Sequence, residues 1–139
     1  MKKLLRECIR EMLSENVSYV SLNIKGISFT VEHADTEQLR NKGLMFRESL
    51  SHNAGMLFTF PDTDYRSFWM KNTYIPLSIA YLSESGQILN IESMKPLSTR
   101  DVNSLGPAKY ALEMNYGWFA KNNIKPGDVV SFARQEILR

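Results

Sequence analysis

The sequence predicts a mainly β (α+β) fold, an antiparallel β-sandwich or jelly-roll-like barrel that carries two or three short helices. Many short segments alternate between apolar and polar residues, which is the period of a half-buried strand. Turn residues separate these segments about every ten positions, a spacing typical of sandwiches and barrels. There is no internal repeat, low-complexity run or linker, and a chain of 139 residues suits one domain.

The first 17 residues differ from the rest of the chain. Apolar side chains recur there at helical spacing in two adjacent rows: Leu5, Ile9 and Leu13, and Leu4, Cys8 and Met12. We therefore divide the chain into an N-terminal amphipathic helix over residues 1–17 and a single compact β-rich domain over residues 18–139. The helix either covers part of the domain, is a leader that processing removes, or contacts a protein partner.

A hairpin and a short helix are predicted next. Residues 19–24 and 27–31 alternate as strands, with a Lys-Gly pair between them as the turn. Asp35 can cap a short helix, because a glutamine three residues later completes a capping box. Gly43 is well placed to end that helix.

Strands fill the middle of the chain, over residues 56–60, 67–71, 77–82 and 87–94. We expect Pro61 to stop the first of them, because proline cannot donate to a strand ladder. In the second, strand alternation would place Phe68 and Met70 on one face and Trp69 and Lys71 on the other.

The last third of the chain combines a loop, two strands and helical segments. Residues 95–107 contain two prolines and a glycine and are typical of a long surface loop. We predict a strand over residues 110–114, a short helix over 117–123 that buries Trp118 and Phe119, a strand over 129–132 and a helical tail over 133–139.

Composition excludes several classes of function. Net charge is only +2 and the basic residues are scattered, so we predict no nucleic-acid partner. No segment approaches the ~20 apolar residues of a membrane span, and charged residues interrupt the N-terminal apolar positions of a secretory signal. We therefore expect a soluble cytoplasmic protein without a membrane partner. The single cysteine, Cys8, excludes an internal disulfide.

No metal or cofactor site is predicted. His33 and His52 are the only histidines, and neither has a second ligand at zinc-site spacing. Met45, Met56 and Met70 could form a soft copper site, but methionine beside aromatic residues more often fills core gaps. No nucleophile elbow is present either.

Seven blocks of residues occur in an order and spacing that resemble one family. They are residues 34–36 (ADT), 43–47 (GLMFR), 55–58 (GMLF), 67–73 (SFWMKNT), 75–77 (IPL), 110–113 (YALE) and 127–129 (GDV). Together they resemble the domain of unknown function 192 family over about residues 19–132. The resemblance implies a compact, mostly antiparallel, jelly-roll-like β domain with a few short helices, and it implies no catalytic residue.

The chain departs from this family at two places. Ser78 stands where the family usually has an aspartate, so any proton-transfer or metal role of that carboxylate would be lost here. The charged helix over residues 3–15 replaces the usual leader, which fits a cytosolic or virion-associated member. Its end at residues 12–15 (MLSE) resembles capsid-targeting leaders of phage internal proteins, and N-terminal sequencing of the mature protein would test that hypothesis.

Polar residues at the ends of predicted elements indicate a rim pocket as the candidate binding site. Its predicted members are Asp35, Arg47, Trp69, Lys71, Asn72 and Glu113. Arginine and lysine suit a small polar or anionic ligand, and Trp69 offers a flat wall. Alternatively, Arg47 pairs with Asp35 or Glu113 and braces loops. We predict a small-ligand-binding or accessory module; the alternatives are an enzyme, with Asp35 or Glu113 as base and Lys71 or Arg47 stabilising negative charge, and a packaged phage protein.

Overall fold

The computed structural model describes residues 17–133, so the predicted N-terminal helix and all but the first residue of the predicted helical tail lie outside the described residues. In this range the chain forms nine strands and two short helices. Their bounds are β1 Ser18–Ile24, β2 Ile27–Ala34, α1 Glu37–Lys42, β3 Gly55–Asp64, β4 Ser67–Phe68, β5 Leu77–Leu82, β6 Ile88–Met94, β7 Val102–Asn103, β8 Ala108–Asn115, α2 Trp118–Lys121 and β9 Val130–Phe132. No helix in this part of the chain is long and apolar enough to cross a membrane.

Seven of the strands form one sheet in the order β6-β5-β8-β3-β2-β1-β9, and β4 pairs with β7 in a separate small sheet. The predicted mainly β fold class is confirmed. Adjacent strands of the large sheet are antiparallel except for β2 and β3, which run parallel. A parallel pair needs a long crossover connection, and here that connection contains α1 and the loop after it.

The two edges of the large sheet approach each other at one end. An isolated bridge joins Gln87, just before β6, to Val129, just before β9. The Ile88 N–H donates to the carbonyl oxygen of Asp128 at 2.8 Å, and the Val130 N–H donates to that of Gly86 at 2.9 Å. The sheet is therefore curled, and this contact protects part of two edges that would otherwise be open.

Apolar side chains pack on both faces of the sheet. One cluster contains Leu57, Leu112 and Trp118, and the other contains Phe58 and Tyr81. Successive residues of a strand point to opposite faces, so β3, β5 and β8 contribute to both clusters. Every residue of β5 is buried. The second cluster lies under α1, β4 and their loops, and this is the face that carries the candidate site.

Several predicted elements are confirmed. The hairpin of β1 and β2 turns at Lys25 and Gly26, which both have positive φ. The helix α1 ends at Gly43 as predicted, and α2 buries Trp118 and Phe119.

Three local predictions are wrong. Because α1 begins at Glu37, its N-cap is Thr36 and not Asp35; the Thr36 hydroxyl accepts from the Leu39 N–H at 3.1 Å. Pro61 does not stop β3, which continues to Asp64. It lies within a break in the register with β8, where a ladder N–H is not required.

The third wrong prediction is the strand over residues 67–71, of which only Ser67 and Phe68 are strand. The chain then turns, with a hydrogen bond from the Thr73 N–H to the Met70 carbonyl and a left-handed Asn72, whose φ is 57°. Met70 still lies in the core, and Trp69 and Lys71 are exposed, as the alternation predicted.

Candidate functional site

The candidate site is built around Glu113 in the middle of β8. This strand lies between β3 and β5, and Glu113 is opposite Met56 on one side and Ile79 on the other. Its neighbours Leu112 and Met114 point to the first core cluster, so the Glu113 side chain points to the face covered by α1 and β4. Only 4% of the residue is exposed.

The Glu113 side chain is largely buried, but its carboxyl oxygens keep some exposure, because no fully buried side-chain nitrogen or oxygen among residues 17–133 lacks a hydrogen-bond partner. Within residues 17–133 it makes no hydrogen bond or ion pair to another side chain or to the backbone. Burial raises the pKa of Glu113 to about 8. Burial, with the nearby Glu113 charge as the second cause, also raises the pKa of Tyr81 on β5. Removing a carboxylate from water without a partner favours its protonated form.

Tight backbone packing holds β8 in this position. A Cβ atom on Gly55, at the start of β3, would lie 2.3 Å from the carbonyl oxygen of Glu113. A side chain at position 55 would therefore push the two strands apart where the carboxyl group is placed.

A cavity of about 410 Å³ lies over Glu113, and we call it the Glu113 cavity. Buried or partly buried residues such as Leu44, Phe58 and Thr73 contribute to its wall. The cavity is also lined by four further aromatic residues, Phe60, Tyr65, Phe68 and Trp69, and by four cationic residues, Arg40, Lys42, Arg66 and Lys71. It therefore combines one buried carboxyl group with several positive charges and flat apolar surfaces.

Two arginines of the cavity are anchored around Phe60. The Arg66 guanidinium lies 3.9 Å from the centre of the Phe60 ring, and that of Arg40 lies 5.4 Å from it. Arg66 donates through Nε to the Ala108 carbonyl at 3.0 Å and through Nη2 to the Asp62 carboxylate at 2.9 Å. Arg40 donates through Nη1 to the Thr59 carbonyl at 2.9 Å. These contacts restrict both side chains before any ligand binds. The binding of an anion would therefore cost less side-chain conformational entropy.

Lys71 and Trp69 stand together at the edge of the cavity. The Lys71 ammonium is 5.3 Å from the centre of the Trp69 ring, within the range of a cation–π contact. Trp69 is 50% exposed. The pair offers a positive charge and a flat surface to a molecule that enters.

The structure brings together only part of the predicted site. Trp69, Lys71 and Glu113 line the same cavity, whereas Asp35, Arg47 and Asn72 do not. Asp35 is exposed at the end of β2, where one of its oxygens lies 4.0 Å from His33 Nδ1. Asn72 holds the loop through its carbonyl group, which accepts from the Phe46 N–H at 2.8 Å.

Arg47 forms a bidentate ion pair, but with a different partner from the two that the bracing hypothesis named. Its Nη1 and Nη2 donate to the two carboxylate oxygens of Glu32, at 2.5 and 2.8 Å. This fork-to-fork geometry ties the loop after α1 to β2. Arg47 therefore braces the fold beside the site, which is the type of role that the hypothesis described.

Sequence reasoning missed Arg40, Lys42 and Arg66 as cavity residues. Arg66 directly precedes the 67–73 block that contains Lys71, so its position beside that block was a usable signal. Arg40 and Lys42 lie in the last turn of α1, and nothing in their spacing indicates that this turn lines the same cavity as Glu113.

Ser78, the position of the expected departure from the family, lies on the opposite face of the sheet. It is paired with Met114 and not with Glu113, and it is 5% exposed. Its hydroxyl accepts a hydrogen bond from the Gly117 N–H at 2.9 Å. The residue therefore supports the turn before α2, and its identity does not alter the Glu113 cavity.

Other parts of the described chain offer less chemistry. No group of three or more His, Cys, Asp or Glu side chains among residues 17–133 is placed to hold a metal ion. Met56 and Met70 are buried in the core. A second depression of about 550 Å³ lies near Glu92, Arg100 and Asp101. It has charges of both signs and no aromatic wall, so it is a weaker candidate than the Glu113 cavity.

The fold and the cavity define a small mainly β domain with a buried acid under a cationic rim. The DUF192 family model, described as "Uncharacterized ACR", matches residues 20–132, and the chain belongs to this family. The family predicted from the sequence blocks is confirmed. No curated protein matches the chain significantly.

Two solved structures share the fold and a third of the sequence. A protein of unknown function from Novosphingobium aromaticivorans DSM 12444 is 34% identical, with a TM-score of 0.80 over 85% of this chain and 88% of that one. A protein from Sinorhizobium meliloti 1021, described as a presumed transcription regulator, is 33% identical, with a TM-score of 0.79 over 84% of this chain and 95% of that one.

Proposed function

We propose that this protein is a small-ligand-binding module and that its ligand is a small organic anion bound in the Glu113 cavity. The observation that carries the proposal is a buried carboxyl group without a described partner at a cavity lined by Arg40, Lys42, Arg66 and Lys71. Buried polar groups in proteins are nearly always hydrogen-bonded, and exceptions often mark functional sites.

Charge supports an anionic ligand. With a pKa of about 8, Glu113 is mostly protonated and neutral near pH 7. The Asp62 carboxylate neutralises part of the Arg66 charge, but among residues 17–133 Glu113 is the only acidic residue in the cavity lining. The lining is therefore positive, and arginine and lysine both suit carboxylates or phosphates.

Size and shape support a small molecule. The cavity volume of about 410 Å³ lies within the roughly 300–1,000 Å³ of typical ligand pockets. Aromatic walls from Phe60, Phe68 and Trp69 can cover the apolar part of such a ligand.

Thermal unfolding with a panel of small anions tests the proposal. The panel contains inorganic phosphate, propyl phosphate, glycerol 3-phosphate, propionate and glycerate. At least one anion should raise the melting temperature of the wild type, because a ligand that binds only the folded state stabilises it. We expect Lys71→Ala to weaken that binding about tenfold, since it removes a charge-assisted contact.

Lys121→Ala is the matched control, because Lys121 is exposed on α2 and does not line the cavity. This variant should bind the anion as the wild type does. If no anion stabilises the wild type, or if both lysine variants weaken binding equally, the cavity is not an anion site.

An enzyme acting in the same cavity is the second candidate. The raised pKa of Glu113, to about 8, favours it, because a protonated carboxyl group near pH 7 is suited to be a general acid. Lys71 lines the same cavity and could stabilise negative charge on a substrate. Asp35 and Arg47 lie outside the cavity, so this proposal includes neither of them. Chemical change of a bound anion, lost in Glu113→Gln while binding remains, would separate catalysis from binding.

A further inference from the structure

We infer that the ligand carries a hydroxyl group beyond its anionic group, and that the protonated Glu113 carboxyl group forms a hydrogen bond with that hydroxyl. The ligand class is therefore a hydroxylated phosphate ester or a hydroxycarboxylate. This inference rests on the proposed function, because it assigns the chemistry of the same cavity.

The first argument is the position of the Glu113 carboxyl group, which reaches the open space of the cavity. Glu113 is 96% buried, being only 4% exposed, and it lines the cavity without a described hydrogen-bond partner. A protonated carboxyl group has one O–H donor and also accepts hydrogen bonds. A ligand hydroxyl can both accept and donate, so it satisfies the group without introducing a charge.

The second argument is that the cavity already has separate groups for an anion. Arg40 and Arg66 are fixed by backbone carbonyl groups and by Phe60, and Lys71 lies at the edge. A phosphate or carboxylate would bind these cations in preference to the carboxyl group. Glu113 is then left for a different, uncharged part of the same ligand.

The third argument concerns the charge of the ligand group that contacts Glu113. The titratable groups around it are Tyr81 on β5, the cavity cations Arg40, Lys42, Arg66 and Lys71, and Tyr65. None of these described groups pairs with it, and burial raises its pKa to about 8. Cations at the rim repel an ammonium group that enters, so a neutral hydroxyl is a better partner for Glu113 than a cationic ligand end.

Matched pairs of anions test the hydroxyl. Glycerol 3-phosphate is compared with propyl phosphate, and glycerate with propionate, by calorimetric titration of the full-length chain. The wild type should bind the hydroxylated member of at least one pair about tenfold more tightly, because the other member leaves the carboxyl group unpaired. The pair that shows this preference identifies the headgroup as phosphate or carboxylate.

Two variants at position 113 locate the preference. Glu113→Leu should bind both members of a pair equally, because it cannot form the hydrogen bond. Glu113→Gln should keep the preference, because an amide donates and accepts as a protonated carboxyl group does. In the wild type the affinity for both members of a pair should decline above about pH 8, because the ionised carboxylate repels the anion, and in Glu113→Gln it should not.

The inference is overturned if the wild type binds both members of each pair equally, or if Glu113→Leu keeps the preference. A wild-type affinity that stays the same through about pH 8 would show that the group that binds the ligand is not a protonated Glu113 carboxyl. Should Glu113→Leu fail to fold, the pH profiles of the wild type and Glu113→Gln decide. If no anion binds the wild type at any pH, the proposed function fails instead.

Discussion

At the scale of the residue, Glu113 shows how a buried acid links stability to pH. The pKa of a glutamate is 4.5 in the reference state and about 8 in the folded chain, and burial is the cause. Between these values the folded chain holds a proton that the unfolded chain has released. The free energy of unfolding therefore falls as pH rises from about 4.5 to about 8 and is constant above that, as far as this group is concerned.

Glu113→Gln should remove this pH dependence. The glutamine side chain is neutral at every pH. The free energy of unfolding of the variant should therefore exceed that of the wild type by a margin that grows between about pH 4.5 and pH 8, with an upper limit of about 5 kcal/mol. Urea unfolding of both proteins at about pH 5, 7 and 9 measures the margin. All other ionisable groups are the same in both proteins, so their contributions cancel in the comparison. A margin that stays constant with pH would show that Glu113 is not buried as a protonated acid.

At the scale of the element, neighbouring residues of one strand point to opposite faces of the sheet and have different roles. Ile79 and Tyr81 of β5 pack with the core beneath the cavity, whereas Ser78 points to the other face and accepts from the Gly117 N–H. An aspartate at position 78 could accept the same hydrogen bond, at the start of α2 where negative charge is favourable. In this chain, position 78 therefore supports the turn before α2.

Ser78→Ala should cost stability and leave the cavity intact. The substitution leaves the partly buried Gly117 N–H without its acceptor, which costs about 1–2 kcal/mol of unfolding free energy. Anion binding should be unchanged, because the side chain points away from Glu113. Ser93→Ala is the control: Ser93 is exposed and lies opposite Ser78 on β6, so its loss should cost little. Equal stability of the two variants, or weaker anion binding by Ser78→Ala, would contradict this role.

Local patterns were sufficient to predict most elements but not their exact ends. The β1–β2 hairpin, β5 and α2 follow from alternation, turn residues and aromatic spacing, which are local signals. The end of β4 depends on a hydrogen bond from the Met70 N–H to the Ser98 carbonyl, a contact across 28 positions that no local pattern contains. Likewise Thr36 and Asp35 are both good caps, and tertiary packing decided between them.

The only site residues that the sequence predicted correctly lie in the blocks that resemble the family. Lys71, Trp69 and Glu113 belong to blocks that resemble the family, so they were found. Arg40 reaches the cavity because α1 lies against β2 and Arg40 bonds the Thr59 carbonyl of β3, and this depends on the parallel crossover between β2 and β3. That topology also separates Arg47 from the cavity and pairs it with Glu32. Sequence order alone therefore could not assign which cations surround Glu113.

At the scale of the whole molecule, the curled sheet is what gives the site a rigid base. The contact between the regions before β6 and β9 joins strands at opposite ends of the sheet order. It includes the hydrogen bond from Val130 to Gly86, and Gly86 has a φ of +85°. A Cβ atom there would lie 2.3 Å from the carbonyl oxygen of Val130. Position 86 thus requires glycine for both its backbone conformation and the close approach of the two edges.

Gly86→Ala should open this contact and destabilise the fold. The positive φ alone costs about 1–2 kcal/mol for a residue with a side chain. Gly127→Ala measures the cost of the positive φ without a steric clash, because Gly127 has a φ of +97° and a Cβ atom there meets nothing within 4 Å. We therefore expect Gly86→Ala to lose more unfolding free energy than Gly127→Ala in urea titrations, and to show faster hydrogen exchange at the Ile88 and Val130 amides. Equal losses with unchanged exchange would mean that the sheet does not depend on this closure, since only the steric term distinguishes the two glycines.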